Sequence, residues 1–593
     1  MTTRKATWLA CMASVALVLA LVCSTVEGIK YTGFEKPVYR REKEDVYYSG
    51  DGKGLDLNKN LRVDPASNGT ALDKYVATPD PSYKWEYNGT KMTGIMPGIS
   101  GWTAYEVVLT SQTWLTEKEV GTVCNVWHHD MFVFVPDNLD DTVETAIMFI
   151  TEGIDPPGTH NDKTQNILLG SAAATGTKGV TVALFQVPNQ KCLFPDDPIQ
   201  KHREEDAVIA YTWKKFIELT RKGDPRAQEW PLRLPMTKAA VRAMDATQDF
   251  LSKCTSCVKR PLKTTNFVAM GASKRGWTTW TTGAVDKRII GMAPIVMDAA
   301  NQHQLFHRWY QNFGGWSFAI HDYTEENLMG ELDSPEFQDL LDIIDPYVYR
   351  ERLTMPKLVI TATGDEFFQV MDDHFWWNDM PGDNFLCRAA NADHSEMTGI
   401  PVLLPSVISF VVNVRNGFSQ EKALAEGREL TVADQVPQHP RITWSFAHVN
   451  EGTPDETGVM NVTVDVQAGP KPEKVWLQYS HTDPDSGRLD FRWFNLDKNC
   501  ALPKLDGGIC PIQLVWLNDV IEPVEQTDSQ WTYSVSLKAP PKGWGAFFVE
   551  FRFPGISELF FELPYTVTTQ TVIVPTKLPF PDCSGAECEG KLV

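Results

Sequence analysis

Basic side chains are in short supply: 55 Lys and Arg stand against 76 Asp and Glu, a formal net charge of −21. A surface this anionic repels another polyanion, which argues against a general nucleic-acid binder. It also disfavours polybasic attachment to anionic membranes. Long apolar runs are missing beyond the N-terminus. No stretch there reaches the roughly 18 apolar residues that a spanning helix needs, so no membrane insertion of the mature chain is expected. No repeat with a period of about 20–50 residues is present, which excludes a solenoid. Cys254-x-x-Cys257 has no second CxxC or HxxxH following at zinc-finger spacing, so neither a metal nor another cofactor is expected.

What is present is a chain of 593 residues, 42% hydrophobic and 22% charged, enough to pack more than one core. Arg4 and Lys5 precede the apolar run Leu9–Cys23, and Val26 and Gly28 offer small residues for cleavage. The run is roughly 22 Å long as a helix, short of a ~30 Å hydrocarbon core. Residues 1–28 therefore read as a signal peptide, and the protein is expected to be secreted and extracellular. Asn68, Asn88 and Asn461 each open an N-x-Thr glycosylation acceptor. Without Cys11 and Cys23, nine of the 11 cysteines remain. Close spacing predicts disulfides Cys254–Cys257, Cys500–Cys510 and Cys583–Cys588. Cys124, Cys192 and Cys387 are left over, and an odd count leaves at least one thiol free or paired between chains.

Residues 29–71 are rich in Gly, Asn, Asp and Lys and read as an irregular polar leader. From 72 to 427, short apolar runs alternate with helical spacing. Met131–Pro136, Thr145–Thr151, Gly179–Val187, Asn266–Met270, Ile289–Pro294, Lys357–Thr361 and Asn384–Arg388 read as strands; Glu204–Phe216 and Lys238–Leu251 read as helices. Continuous apolar strands separated by helices predict an α/β domain with a mainly parallel sheet covered on both faces. Between 428 and 575 about seven β-rich runs, among them Leu489–Phe494, predict an all-β immunoglobulin-like sandwich, followed by a cysteine-containing tail, 576–593.

The chemistry points to Asn266–Trp277 (NFVAMGASKRGW). A buried strand enters Gly271-Ala272-Ser273 and a helix follows, the layout of a nucleophile elbow that lifts a serine out of a sheet. The Lys274 amide would face the developing oxyanion. The usual G-x-S-x-G is displaced: Arg275 holds the last glycine's place and Gly276 comes one later, as in the elbow of glucuronoyl esterases. A serine nucleophile needs a base, and the base an orienting carboxylate. Asp365 follows the strand Lys357–Thr361, and His394 follows the strand Asn384–Arg388, giving the chain order Ser273, Asp365, His394 of an α/β-hydrolase. Glu152 or Gly153, after Thr145–Thr151, is the candidate second oxyanion donor, and Asp155–His160 continues that loop as a pocket wall.

The chain also resembles the PhoPQ-activated pathogenicity-related proteins. The resemblance runs from about Leu72 to Arg415, and more weakly to Tyr565. It is carried by ALDKYVA (71–77), TSQTW (110–114), QVPNQ (186–190), EDAVIAYTW (205–213), LPMTKA (234–239), GASKRGW (271–277) and APIV (293–296). It implies an α/β-hydrolase-like scaffold more firmly than any substrate. The family includes a secreted regulator of growth, so the resemblance also implies a role in the control of proliferation.

Arg275 is a candidate to bind a substrate carboxylate or to pair with a nearby acid. Glu204, Glu205 and Asp206 open a helix, where carboxylates complement the dipole. Asp372 and Asp373 read as a solvated turn. The expected function is a secreted serine hydrolase, peptidase or esterase, acting on a peptide or ester substrate. The alternative is an extracellular signalling protein whose hydrolase-like scaffold binds a cell-surface receptor without catalysis.

Overall fold

The computed structural model describes residues 39–96, 98–140, 142–153, 164–255, 257, 262–429, 439–496, 500, 502–512, 514–555 and 563–593. Residues 1–28, which read as a signal peptide in the sequence, and the segment Asp155–His160 lie outside the described residues. The described chain divides into two compact units, residues 39–219 with 224–294, and residues 220–223 with 295–555 and 563–593.

The strands of the first unit are β1 (Arg40–Lys43), β2 (Tyr48–Gly50), β3 (Lys84–Met96), β4 (Ser100–Thr113), β5 (Val126–Pro136), β6 (Thr145–Ile150), β7 (Thr181–Leu184), β8 (Asn266–Ala272) and β9 (Ile289–Ile295). They lie in the order β1-β3-β4-β5-β7-β6-β8-β9, with β2 also on β3. β6 is parallel to β7 and β8, and these three are buried almost throughout, as continuous apolar strands covered on both faces must be. β3, β4 and β5 pair antiparallel, and β3 alternates buried and more exposed residues. The sheet is therefore parallel at its centre and antiparallel toward β1. The leader is not irregular throughout: Arg40–Lys43 and Tyr48–Gly50 pair with β3 through their backbones, a role that polar side chains do not advertise. Helix Arg233–Lys253 begins earlier than its apolar spacing suggested. Pro235 sits in its first turn, where a missing N–H is tolerated.

In the second unit β10 (Lys357–Ala362) is parallel to β11 (Asn384–Ala389). The remaining strands are β12 (Ile442–Val449), β13 (Thr457–Asp465), β14 (Lys474–His481), β15 (Phe494–Asn495), β16 (Cys510–Pro511), β17 (Leu517–Val520), β18 (Glu525–Gln526), β19 (Gln530–Lys538), β20 (Gly545–Phe553), β21 (Tyr565–Thr568) and β22 (Val572–Val574). The strands expected to build a separate sandwich over 428–575 are shared between sheets. β12-β13-β19-β18 form a four-stranded antiparallel sheet. β21, β20, β14 and β17 instead continue the sheet of β10 and β11, because β11 offers an open edge on which Leu386 pairs with Thr568. The two sheets meet through side chains such as Tyr533 and Phe551, ring centroids 5.4 Å apart. Leu489–Phe494 is not a strand apart from its last residue. Leu489 and Phe491 are apolar because they enter a cluster with Trp516, Trp544 and Phe548.

Helix Ile400–Ala425 is long and apolar enough, by length and composition, to cross a membrane, yet 72% of its 18-residue apolar stretch is buried inside the protein. The three expected disulfides are present, joined by Cys124–Cys192, which leaves Cys387 as a buried thiol. Burial pushes that thiol's pKa far up, so it is a packing residue rather than a nucleophile.

Candidate active site

In the first unit β8 runs into Ser273 and the helix Lys274–Val285 starts at once. Ser273 sits at φ 55°, ψ −124°, a region that L-residues rarely occupy and that over-determined functional turns hold at a cost. Gly271 explains how the turn closes: a Cβ there would lie 2.7 Å from the Arg275 carbonyl oxygen and 2.9 Å from the Arg275 Cβ. Strand and helix thus approach closely at the first glycine. The second glycine is dispensable because the Arg275 side chain leaves the turn altogether. Its Nε donates to the Val187 carbonyl (2.6 Å), and its two terminal nitrogens donate to the Glu205 carboxylate (2.6 and 2.5 Å).

This occupancy decides between the two readings of Arg275. Buried, with its donors on Glu205 and Val187, it holds the elbow, and the geometry does not carry a substrate-carboxylate role. Lys274 behaves alike: its Nζ donates to Asp206 at 2.6 Å and lies 3.4 Å from Glu205. Lys274 also opens the helix, so its amide belongs to the positively polarised first turn. Burial would raise the Glu205 carboxyl, but Arg275 and Lys274 outweigh that and hold its pKa down at about 2. Glu205 and Asp206 therefore do more than complement a dipole.

The loop after β6 is tied to the same hub. The Gln190 side-chain amide donates to the Gly153 carbonyl (3.1 Å) and to Glu205 (2.7 Å), and its oxygen accepts from the Glu205 N–H (2.9 Å). Glu152 is exposed, and its carboxylate accepts from Asn166 (2.7 Å) and Thr151 (3.0 Å). Of the two loop candidates, Gly153 is the one joined to the elbow's network.

In the second unit the structure brings Asp365 and His394 together. His394 Nδ1 lies 2.9 Å from both oxygens of Asp365. Asp365 is 3% exposed, and its Oδ1 also accepts from the Phe367 and Phe368 amides at 2.7 and 3.1 Å. These bonds fix the carboxylate, and the carboxylate fixes the tautomer that leaves Nε2 as the acceptor. Phe367 covers the imidazole at 4.4 Å between centroids. The His394 amide donates to Glu366 (3.2 Å). Burial, and then the Asp365 charge, push the Glu366 carboxyl up to about 7.

Sequence reasoning missed the acids around this pair. Asp372 and Asp373 are fully buried rather than solvated: Asp372 accepts from Trp309 (2.9 Å), and Asp373 pairs with Arg388 (2.5 Å). Asp298 is 1% exposed, and among the described residues no donor on another residue reaches either of its carboxyl oxygens. Burial, opposed by Arg388 and reinforced by Asp373 and Asp365, pushes its pKa up to about 8. Glu396 is also buried, and burial drives its carboxyl well upward. No motif marks either residue. Asn68, Asn88 and Asn461 are all exposed.

A family model described as PhoPQ-activated pathogenicity-related protein matches residues 72–433, and the chain belongs to that family. Autocrine proliferation repressor protein A of Dictyostelium discoideum is 33% identical over 529 residues, covering 87% of this chain and 92% of its own. Acetyl xylan esterase 1 from Thermoanaerobacterium sp. overlaps 55% of this chain and 86% of its own at 12% identity, with a TM-score of 0.31. Acetyl xylan esterase from Paenibacillus sp. R4 overlaps 55% and 90% at 12% identity, with a TM-score of 0.32.

Two outcomes follow from the charges. Glu205→Ala strands a buried guanidinium and should cost about 3 kcal/mol in urea unfolding; a loss below about 1 kcal/mol would show that Glu205 is not the elbow's anchor. The folded Asp298 binds its proton more tightly than the unfolded chain does, so its contribution is present at low pH and is lost as pH rises from about 4 toward 8. Asp298→Asn should gain on the wild type across that window, by at most about 1.4 kcal/mol per pH unit. A stability difference that stays constant from pH 4.5 to 8.5 would contradict the shifted carboxyl.

Proposed function

We propose that the protein is a serine hydrolase acting on a peptide or ester carbonyl, with Ser273 as nucleophile, His394 as general base and Asp365 as the carboxylate that orients it. The carrying observation is the Asp365–His394 hydrogen bond, held by two further backbone amides on Asp365. The positive φ at Ser273 and the chain order of the three residues support the reading. In the reaction, Ser273 Oγ attacks the carbonyl carbon as its proton passes to His394 Nε2. The amides of Lys274 and Gly153 receive the oxyanion, and the imidazolium returns its proton to the leaving group. Water then repeats the sequence on the acyl-enzyme and frees Ser273.

The N-terminal pattern and the disulfides support a secreted, extracellular site of action. A second reading starts from the name of the Dictyostelium relative, which favours an autocrine regulator of proliferation; in that reading the protein would meet a cell-surface receptor and catalysis would be dispensable. The two readings separate on one reagent. Secreted wild-type protein should be labelled by a fluorophosphonate, and Ser273→Ala should lose the label while its secretion and melting temperature stay near those of the wild type. Labelling that persists in the variant would remove Ser273 as nucleophile. A wild type that never labels would favour the binding scaffold.

A further inference from the structure

The second unit holds a cluster far in sequence from the residues assigned above. Helix Gln302–Phe313 carries His303 and His307, spaced i and i+4 and so on one face. Both turn Nε2 toward a single oxygen: Asp333 Oδ1 lies 3.4 Å from His303 Nε2 and 3.1 Å from His307 Nε2. The three ligand atoms fall within 4.8 Å of one another. Around a tetrahedral ion with bonds of about 2.0–2.1 Å, neighbouring ligand atoms sit about 3.3 Å apart, close to these spacings.

The surroundings are built as the outer shell of a metal site is built. A metal-bound imidazole commonly donates its other N–H to a carboxylate. His307 Nδ1 is 2.9 Å from Asp582 Oδ1, and Asp582 Oδ1 is itself held by the Cys583 amide at 2.8 Å. The second oxygen of Asp333 accepts from Ser584 Oγ (3.1 Å) and the Gly585 amide (3.0 Å), which leaves Oδ1 for the imidazoles. Cys583 and Cys588 are also near His307, but they are joined to each other and offer no thiolate.

We propose that His303 Nε2, His307 Nε2 and Asp333 Oδ1 form a zinc site. Two imidazoles and one carboxylate select a late first-row divalent ion over magnesium or calcium, and three protein ligands leave a fourth position for water. The ion would fasten the disulfide-closed tail to the helix through the Asp582 and Ser584 shell. No local sequence motif marks this site, because its third ligand lies 26 residues beyond His307 and its outer shell comes from the tail.

The test is zinc binding by full-length secreted protein stripped with a chelator, followed by calorimetric titration with zinc chloride and by metal analysis after dialysis. Wild type should take up one zinc per chain. His303→Ala, which changes a side chain 40% exposed, should weaken binding by at least a hundredfold with the fold intact by circular dichroism. Asp582→Asn should weaken it by about 10–100-fold, the effect of losing an outer-shell partner. Wild type that takes up no zinc at 100-micromolar concentrations, on the order of ordinary weak sites, would overturn the proposal and leave the cluster as imidazoles hydrogen-bonded to Asp333. Equal binding by wild type and His303→Ala would overturn it too, by placing the zinc elsewhere.

Discussion

The elbow depends on one carboxylate. Glu205 is bound by Arg275 through two hydrogen bonds, by Lys274 through charge and by Gln190 through side chain and backbone, and Gln190 reaches on to Gly153. Four groups that sequence analysis treated separately are thus one network. It resolves the displaced glycine: a residue two places after the serine must keep its side chain clear of β8, and Arg275 does so by extending toward Glu205 and Val187. The same network sustains the strained backbone of Ser273, since a turn at φ 55° persists only where its surroundings over-determine it.

A different constraint shapes the second unit. Asp365 accepts two backbone amides besides the imidazole, which hold its carboxylate in place although it is buried among other acids. Burial pushes the carboxyls of Glu366 and Asp298 upward. His394 Nδ1 thus faces one carboxylate, Asp365, whose position the two backbone amides fix.

What could be read from residues was what declares itself in side chains. Thr145–Ile150, Asn266–Ala272, Lys357–Ala362 and Asn384–Ala389 are mostly apolar and almost wholly buried because both faces are covered, and each reads as a strand in the sequence. Asp365 and His394 were legible because each follows such a strand. Backbone-only roles were not: Arg40–Lys43 pairs with β3 although it reads RREK. Alternation misled at Leu489–Phe494, where burial in an aromatic cluster mimics a strand's period. The boundary near 427 was read from a change in composition, while the compact units divide near 294, because pairing on the edge of β11 ignores composition. Asp298 and Glu396 were illegible, since a buried acid has no sequence pattern of its own.

The central claim is that Ser273 and the Asp365–His394 pair act as one catalytic unit. The most direct measurement is a double-mutant cycle on kcat/KM for a small activated ester, using Ser273→Ala, His394→Gln and the two together. Groups that act in one step are strongly non-additive. The account predicts that either single change removes nearly all the activity and that the double variant is no worse than the more damaged single. Losses that multiply, or a His394→Gln enzyme with wild-type kcat/KM, would contradict it.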